Sequence, residues 1–330
     1  MTIKVIGTGS ALPENTVTNY DLAKIVDTSD EWIRERTGIV ERRISTGDTV
    51  ASLSAKACTK ALEMAGRSAE DVDLIIVATC SPEMFLPCCA CQVQGIIGAD
   101  KAVAFDLNAA CSGFVFALNT AQAYIEMGLY RNALVVGSEV LSKIIDWKDR
   151  STCVLFGDGA GAAYIERSEE DEICENGRKS GIESIVQGAD GAKGSVLACG
   201  ARKLENPYAE GEEISPYVHM DGQEVYKFAT RKVPECIKAA LDKADKTLDD
   251  VDLFILHQAN IRIIESVSKR LKVDISKFPV NLSKISNVSS ATIPILMDEL
   301  NRDGKLHRGD RLVLSGFGAG LTYGATVLVW

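Results

Sequence analysis

The sequence predicts an α/β protein made of two related halves, each a β-sheet covered by helices on both faces. Three observations carry this expectation. First, "ALEMAGRSAEDVDLIIVAT", Ala61 to Thr79, aligns without gaps on "ALDKADKTLDDVDLFILHQ", Ala240 to Gln258. Second, "RNALVVGSE" and "GDRLVLSGF" repeat the pairing later in each half, again about 179 residues apart. Third, runs such as "LIIVAT" are apolar at every position, as strands buried on both sides require.

Each element follows from local pattern. The ends of the first pair read as amphipathic helix, polar turn and short apolar strand. Three glycine-rich stretches, "GTGSALP", "GDGAGAAY" and "GFGAGLTYGA", lack the helix that must directly follow a dinucleotide loop. They are expected to be strand-linked tight turns. The tract "ERSEEDEICENGRKSG" reads as a surface excursion, and it separates the halves, 1–170 and 171–330. "GARKLENPYAEGEEISPY" reads as a polar loop before the helix "GQEVYKFATRKVPECIKAALDKA".

Composition sets the limits. The 330 residues are 46% hydrophobic with a formal net charge of −10, which suits a folded protein and argues against general nucleic-acid binding. The start, "MTIKVIGTGS", has no basic region followed by an apolar core, and no apolar run nears the roughly 20 residues of a membrane span. A cytoplasmic protein is expected, with its ten cysteines as free thiols. Cys80, Cys88, Cys89 and Cys91 lack paired Cys-x-x-Cys knuckles, so no metal site is expected.

Among the cysteines, Cys111 in "DLNAACSGF" stands where an apolar strand turns into the helix "SGFVFALNTAQAYIEMG". Unpaired backbone N–H groups and the positive end of a helix dipole favour a thiolate there, and the same amides can hold an oxyanion. Gly113 permits the close approach of a nucleophile elbow. Of the three histidines, His219 and His307 sit in polar surroundings, whereas His257 ends the apolar strand "DLFILHQAN". Functional groups of α/β sheets collect at such carboxyl edges.

The ordered motifs "AACSGF", "LHQANIRII", "SNVSSATIP" and "GFGAGLTYG" resemble the β-ketoacyl-acyl carrier protein synthase III family of thiolase-like condensing enzymes. The likeness extends over essentially the whole chain, from "DEWIRERTGIVERR" through "DRSTCVLFGDGAGAA". It implies a thiolase-like duplicated αβαβα five-layer sandwich. It also implies a triad of Cys111, His257 and Asn287, with an acyl group carried on Cys111 and malonyl-acyl carrier protein decarboxylated against His257 and Asn287. Backbone amides of Cys111 and Ala319 would form the oxyanion hole, and Phe317 an apolar wall.

The resemblance implies further that Thr28, Trp32, Arg36 and Arg150 receive the nucleotide of acyl-CoA, and that Gln223 and Asn260 line its pantetheine tunnel. Arg262 and Lys269, seven apart on one helical face with Arg270 beside them, would dock the acidic carrier, helped by Lys227. A homodimer is implied, with Leu86 near the acyl pocket where many members carry phenylalanine. The smaller side chain leads us to expect primers beyond acetyl-CoA. Acyl-CoA is a substrate, so no cofactor is expected, and neither is a nucleic-acid or membrane partner. Two departures stand beside Asn287: Ser286 replaces a usual glycine and Val288 a frequent threonine. A papain-like hydrolase lacks the expected surround of the cysteine, and a thiolase would carry a second catalytic cysteine near the carboxyl end, whereas the last here is Cys236. A starter-specific polyketide or alkylquinolone synthase is the nearest alternative.

Overall fold

The computed structural model describes residues 2–168 and 173–330. The longer strands are β1 (Thr2–Ala11), β2 (Leu74–Ala78), β3 (Val103–Leu107), β4 (Asn132–Val140), β5 (Asp158–Ser168), β6 (Gly181–Ala189), β7 (Leu253–Leu256), β8 (Arg311–Gly318) and β9 (Thr322–Val329). The longer helices are α1 (Asp30–Thr37), α2 (Val50–Ala65), α3 (Cys89–Ile97), α4 (Gly113–Glu126), α5 (Gly222–Lys243), α6 (Ile261–Leu271) and α7 (Thr292–Arg302). No helix among the described residues is long and apolar enough to cross a membrane.

The first sheet has the order β1-β5-β4-β2-β3 and the second β7-β8-β9-β6. Within them β2 runs parallel to β3 and β4, as β7 does to β8, and the remaining pairings are antiparallel. The second sheet repeats the first without its edge strand. Equivalent elements begin 179 residues apart: Thr2 and Gly181, Leu74 and Leu253, Asn132 and Arg311.

The layers follow from strand alternation. In β2, Leu74, Ile76 and Ala78 point into a central cluster with α4 and α7, while Ile75 and Val77 point to the outer cluster formed with α2 and α3. In the second sheet Leu312, Leu314 and Ile255 join the same central cluster, and Phe254, Leu256 and Val313 meet α5 and α6. The order is therefore helix, sheet, helix, sheet, helix.

The structure corrects the reading of two glycine-rich stretches. Gly7 and Gly9 lie inside β1 and Gly159 and Gly161 inside β5; none forms a tight turn. A Cβ on Gly9 would stand 2.2 Å from the Ala57 carbonyl, and one on Gly161 2.6 Å from the Ile295 amide, so these glycines let helix backbones lie directly on the sheet. The third stretch does turn, between β8 and β9. Of the charged tract between the halves, 169–172 lie outside the described residues; Ile173 bridges to Lys179 beyond them.

Two further glycines fix how the halves meet. The turn Ala110–Ser112 before α4 packs on Gly316 of β8, where a Cβ would stand 3.0 Å from the Ser112 Cα. The turn Ser289–Ala291 before α7 packs on Gly137 of β4, where a Cβ would stand 2.3 Å from the Ser290 carbonyl oxygen. Gly137→Ala should force these backbones apart and destabilise the protein by at least about 2 kcal/mol, read as a lowered urea midpoint. An unchanged midpoint would mean the junction has slack that the packing denies.

Candidate active site

Cys111 sits in the single turn Ala110–Ser112 that links β3 to α4, with Ala110 at φ 45°. Gly318 passes so close that a Cβ there would lie 2.6 Å from the Cys111 amide nitrogen. His257 follows β7, its amide bonded to the Ser315 carbonyl at 2.9 Å. Asn287 is held through its backbone by Leu155 and Gly157, both at 3.0 Å. These three side chains, one from the first half and two from the second, line one cavity of about 200 Å³ with Phe156, Phe317 and Met220.

Each side chain is oriented by neighbours. The Asn287 Oδ1 accepts from the Ser289 amide at 2.8 Å, which leaves Nδ2 as a donor for the cavity. The His257 Nδ1 lies 2.7 Å from the Thr292 hydroxyl, while Nε2 has no partner among the described residues. That hydroxyl has one proton and two acceptors in reach: His257 Nδ1, and the Ser289 carbonyl at 3.1 Å. Giving the proton to the nearer group puts the histidine proton on Nε2, where it can be donated. Burial drives the imidazole down to about 3, so it is neutral across ordinary pH. It is a hydrogen-bond donor rather than a charged acid.

Phe317 meets the His257 ring edge-on at 5.3 Å, forming an apolar wall. Burial pushes the Cys111 thiol up to about 12, and the Ser289 hydroxyl and the cysteine's own amide oppose this. Ala319 lies beside Cys111 in a smaller cavity of about 70 Å³, lined also by Cys80, Leu141, Ile144 and Val218.

The other sequence-derived residues fall into separate places. Arg36 and Arg150 both lie over the Trp32 ring, 4.5 and 5.3 Å from its centroid, and the buried Thr28 hydroxyl has no partner among the described residues. Asn260 lines the main cavity and caps α6, and its Nδ2 bonds the Arg36 carbonyl at 3.0 Å. Gln223 is exposed next to Gly222 and is not in the cavity wall. Arg262, Lys269 and Arg270 project from the exposed face of α6, and Lys227 on α5 pairs with Glu224 at 2.8 Å. Leu86 is 86% exposed and lines neither cavity. Among the described residues no group of His, Cys, Asp and Glu is arranged to hold a metal ion.

Two family profiles match: 3-oxoacyl-[acyl-carrier-protein (ACP)] synthase III over residues 105–191, and its C-terminal counterpart over 241–330. A curated beta-ketoacyl-[acyl-carrier-protein] synthase III of Clostridium novyi is 49% identical over 329 residues, 99% of each chain. The chain belongs to the 3-oxoacyl-[acyl-carrier-protein] synthase III family. The family's solved structures include that of Aquifex aeolicus VF5, with a TM-score of 0.91 at 43% identity over 99% of this chain and 100% of that one. A priming β-ketosynthase from the R1128 polyketide pathway superposes with a TM-score of 0.90 at 34% identity, covering 99% of this chain and 96% of that one. The chain therefore has the five-layer thiolase-like fold and is an acyltransferase of fatty acid synthesis; its 49% and 43% identities to the synthases of Clostridium novyi and Aquifex aeolicus exceed the 34% to the polyketide enzyme.

Sequence reasoning missed Thr292 and Ser289, which hold the histidine and look onto the cysteine. Their signal was present in the 179-residue offset, which sets Ser289 opposite Ala110. The departure at Ser286 also acquires a physical meaning. Its backbone lies at φ 61°, ψ −161°, a region that suits glycine, so the usual family residue would be unstrained there. Ser286→Gly should raise stability by about 1 kcal/mol, the relieved strain exceeding the added chain entropy, seen as a higher denaturant midpoint. A lower midpoint would show that the Ser286 hydroxyl contributes more than its backbone costs.

Proposed function

We propose that Cys111 attacks the thioester of a short acyl-CoA, and that His257 and Asn287 then stabilise the enolate formed when malonyl-acyl carrier protein loses carbon dioxide. The observation that carries this reading is the shared cavity into which all three open. In the first step the Cys111 sulfur bonds the acyl carbon, the carbon–sulfur bond to coenzyme A breaks, and coenzyme A leaves as its thiol with a proton from solvent, to which Cys111 gave up its own. In the second, two neutral donors, His257 Nε2–H and Asn287 Nδ2–H, meet the charge that develops on the thioester oxygen. The enolate carbon attacks the Cys111 thioester, and the oxyanion falls to the Cys111 and Ala319 amides; its collapse breaks the bond between the acyl carbon and the Cys111 sulfur, frees the cysteine and leaves the β-ketoacyl thioester on the carrier. The Phe317 wall favours departure of neutral carbon dioxide from an apolar site. Division of this labour between halves 1–170 and 171–330 is part of the same reading.

Trp32 with two guanidiniums over its ring supports a nucleotide-binding entrance. Since Arg150 is only 5.3 Å from the ring, an adenine enters between them after Arg150 swings outward. Thr28 and Arg36 assist the nucleotide, with Asn260 and Gln223 along and beside the pantetheine path. The small apolar cavity beside Cys111 takes the acyl chain. We assign a homodimer, with the exposed Met84, Phe85 and Leu86 as interface residues and Leu86 reaching toward the partner's acyl pocket. The chemistry needs no cofactor beyond the two thioester substrates, and the setting is cytoplasmic, away from nucleic acid and membrane.

Incubation of the protein with acetyl-, butyryl- or isobutyryl-CoA should add one acyl mass in each case, and Cys111→Ala should abolish the addition. Acylation of Cys111→Ala would remove the nucleophile from this account, and acetylation alone would remove the wider primer range. For the carrier, the exposed α6 cations have no carboxylate partners among the described residues, so they are available to an acidic protein. Reversing charge at Arg262 and Lys269 should raise KM for malonyl-carrier about tenfold or more while leaving acylation from acetyl-CoA intact. An unchanged KM would place docking elsewhere.

A further inference from the structure

Ser289 is 2% exposed, yet its hydroxyl has no hydrogen-bond partner among the described residues. It lines the smaller cavity together with Cys111, Cys80 and Ala110. Its backbone is placed on both sides: the amide donates to Asn287 Oδ1 at 2.8 Å, and the carbonyl oxygen lies 3.1 Å from the Thr292 hydroxyl that meets the histidine. It also holds φ 47°, which costs a non-glycine residue energy unless the surroundings impose it. The same short segment therefore orients the asparagine amide, receives the histidine's partner, and presents a free hydroxyl beside the nucleophile.

An apolar, buried thiol needs help to ionise, because desolvation disfavours the charged form. The groups that face Cys111 include the neutral His257, the buried Glu139 carboxyl and the Cys80 thiol. Glu139 opposes ionisation, and Cys80 is already engaged with Glu139, its sulfur 3.5 Å from the carboxyl oxygens. The unpartnered Ser289 hydroxyl opens into the cavity that Cys111 lines, and it favours the charged form of Cys111 as it does those of the neighbouring Cys80 and Glu139.

We propose that Ser289 is a fourth catalytic residue, whose hydroxyl donates a hydrogen bond to the Cys111 thiolate and so holds the nucleophile ready for acyl transfer. The serine keeps its proton throughout; the thiol proton passes to solvent when the thiolate forms, and the departing coenzyme A thiolate takes one back from solvent. After acylation the thioester sulfur is uncharged and the bond weakens, so the benefit belongs to the thiolate and not to the acyl-enzyme. The inference rests on Cys111 as nucleophile but is testable without acyl-CoA.

The test is the pH dependence of Cys111 alkylation by iodoacetamide, followed by peptide mass mapping in wild type, Ser289→Ala and Ser289→Gly. Glycine removes the hydroxyl while relieving the positive φ, so it distinguishes loss of the donor from loss of structure. Both variants should show an apparent thiol pKa about one unit higher and about tenfold slower alkylation near neutral pH, with the wild-type plateau at high pH. A wild-type pH profile in either folded variant, or uniform slowing at every pH with no shift, would overturn the proposal. Failure of the wild type to form an acyl-enzyme would instead overturn the reading of Cys111 and leave the alkylation result standing.

Discussion

The site depends on a reciprocal steric contact. The turn bearing Cys111 lies on Gly316 of the second sheet, and the matching turn Ser289–Ala291 lies on Gly137 of the first. Gly137 and Gly316 are themselves 179 residues apart, so one contact is the pseudo-twofold image of the other. With no side chain at either glycine, each strand end can touch the backbone of the opposite turn. That closeness lets groups from two distant parts of the chain open into one cavity of about 200 Å³.

Within this symmetry the chemistry is asymmetric. Asn108 and Asn287 occupy equivalent positions, and each accepts a hydrogen bond from the amide two residues on. Asn108 is exposed whereas Asn287 is buried and lines the cavity. The turn after Asn108 carries the thiol, and the turn after Asn287 carries Ser289 and Ser290 in its place. Ser290 bonds the buried Glu139 carboxyl at 3.0 Å and the Ala78 carbonyl at 2.9 Å, tying the second half's turn into the first half's sheet. One copy of the turn carries Cys111 while its counterpart secures the junction and orients the Asn287 amide.

Much of this was legible in the sequence because duplication and catalysis leave local marks. The 179-residue offset, the apolar strands and the strand-to-helix position of Cys111 all depend on nearest neighbours in the chain. His257 was readable for the same reason, as the polar end of an apolar strand. The glycines of β1 and β5 were misread, because a glycine that admits a helix backbone and a glycine that makes a turn look alike until the packing partner is known. Thr292 and Ser289 were missed because a hydroxyl's role is set by what lies across the cavity. Gln223 and Leu86 show the converse: a position inferred from resemblance need not face the monomer's own cavity.

The central claim is that the two halves hold separable chemical steps, a thiol that accepts the acyl group and a pair of neutral donors that decarboxylate. Carbon dioxide release from malonyl-carrier by Cys111→Ala and by His257→Ala tests it most directly. The account predicts that Cys111→Ala still releases carbon dioxide without forming condensation product, and that His257→Ala loses most of this release although its Cys111 is acylated. Undiminished release by His257→Ala, or none by a folded Cys111→Ala, would contradict it.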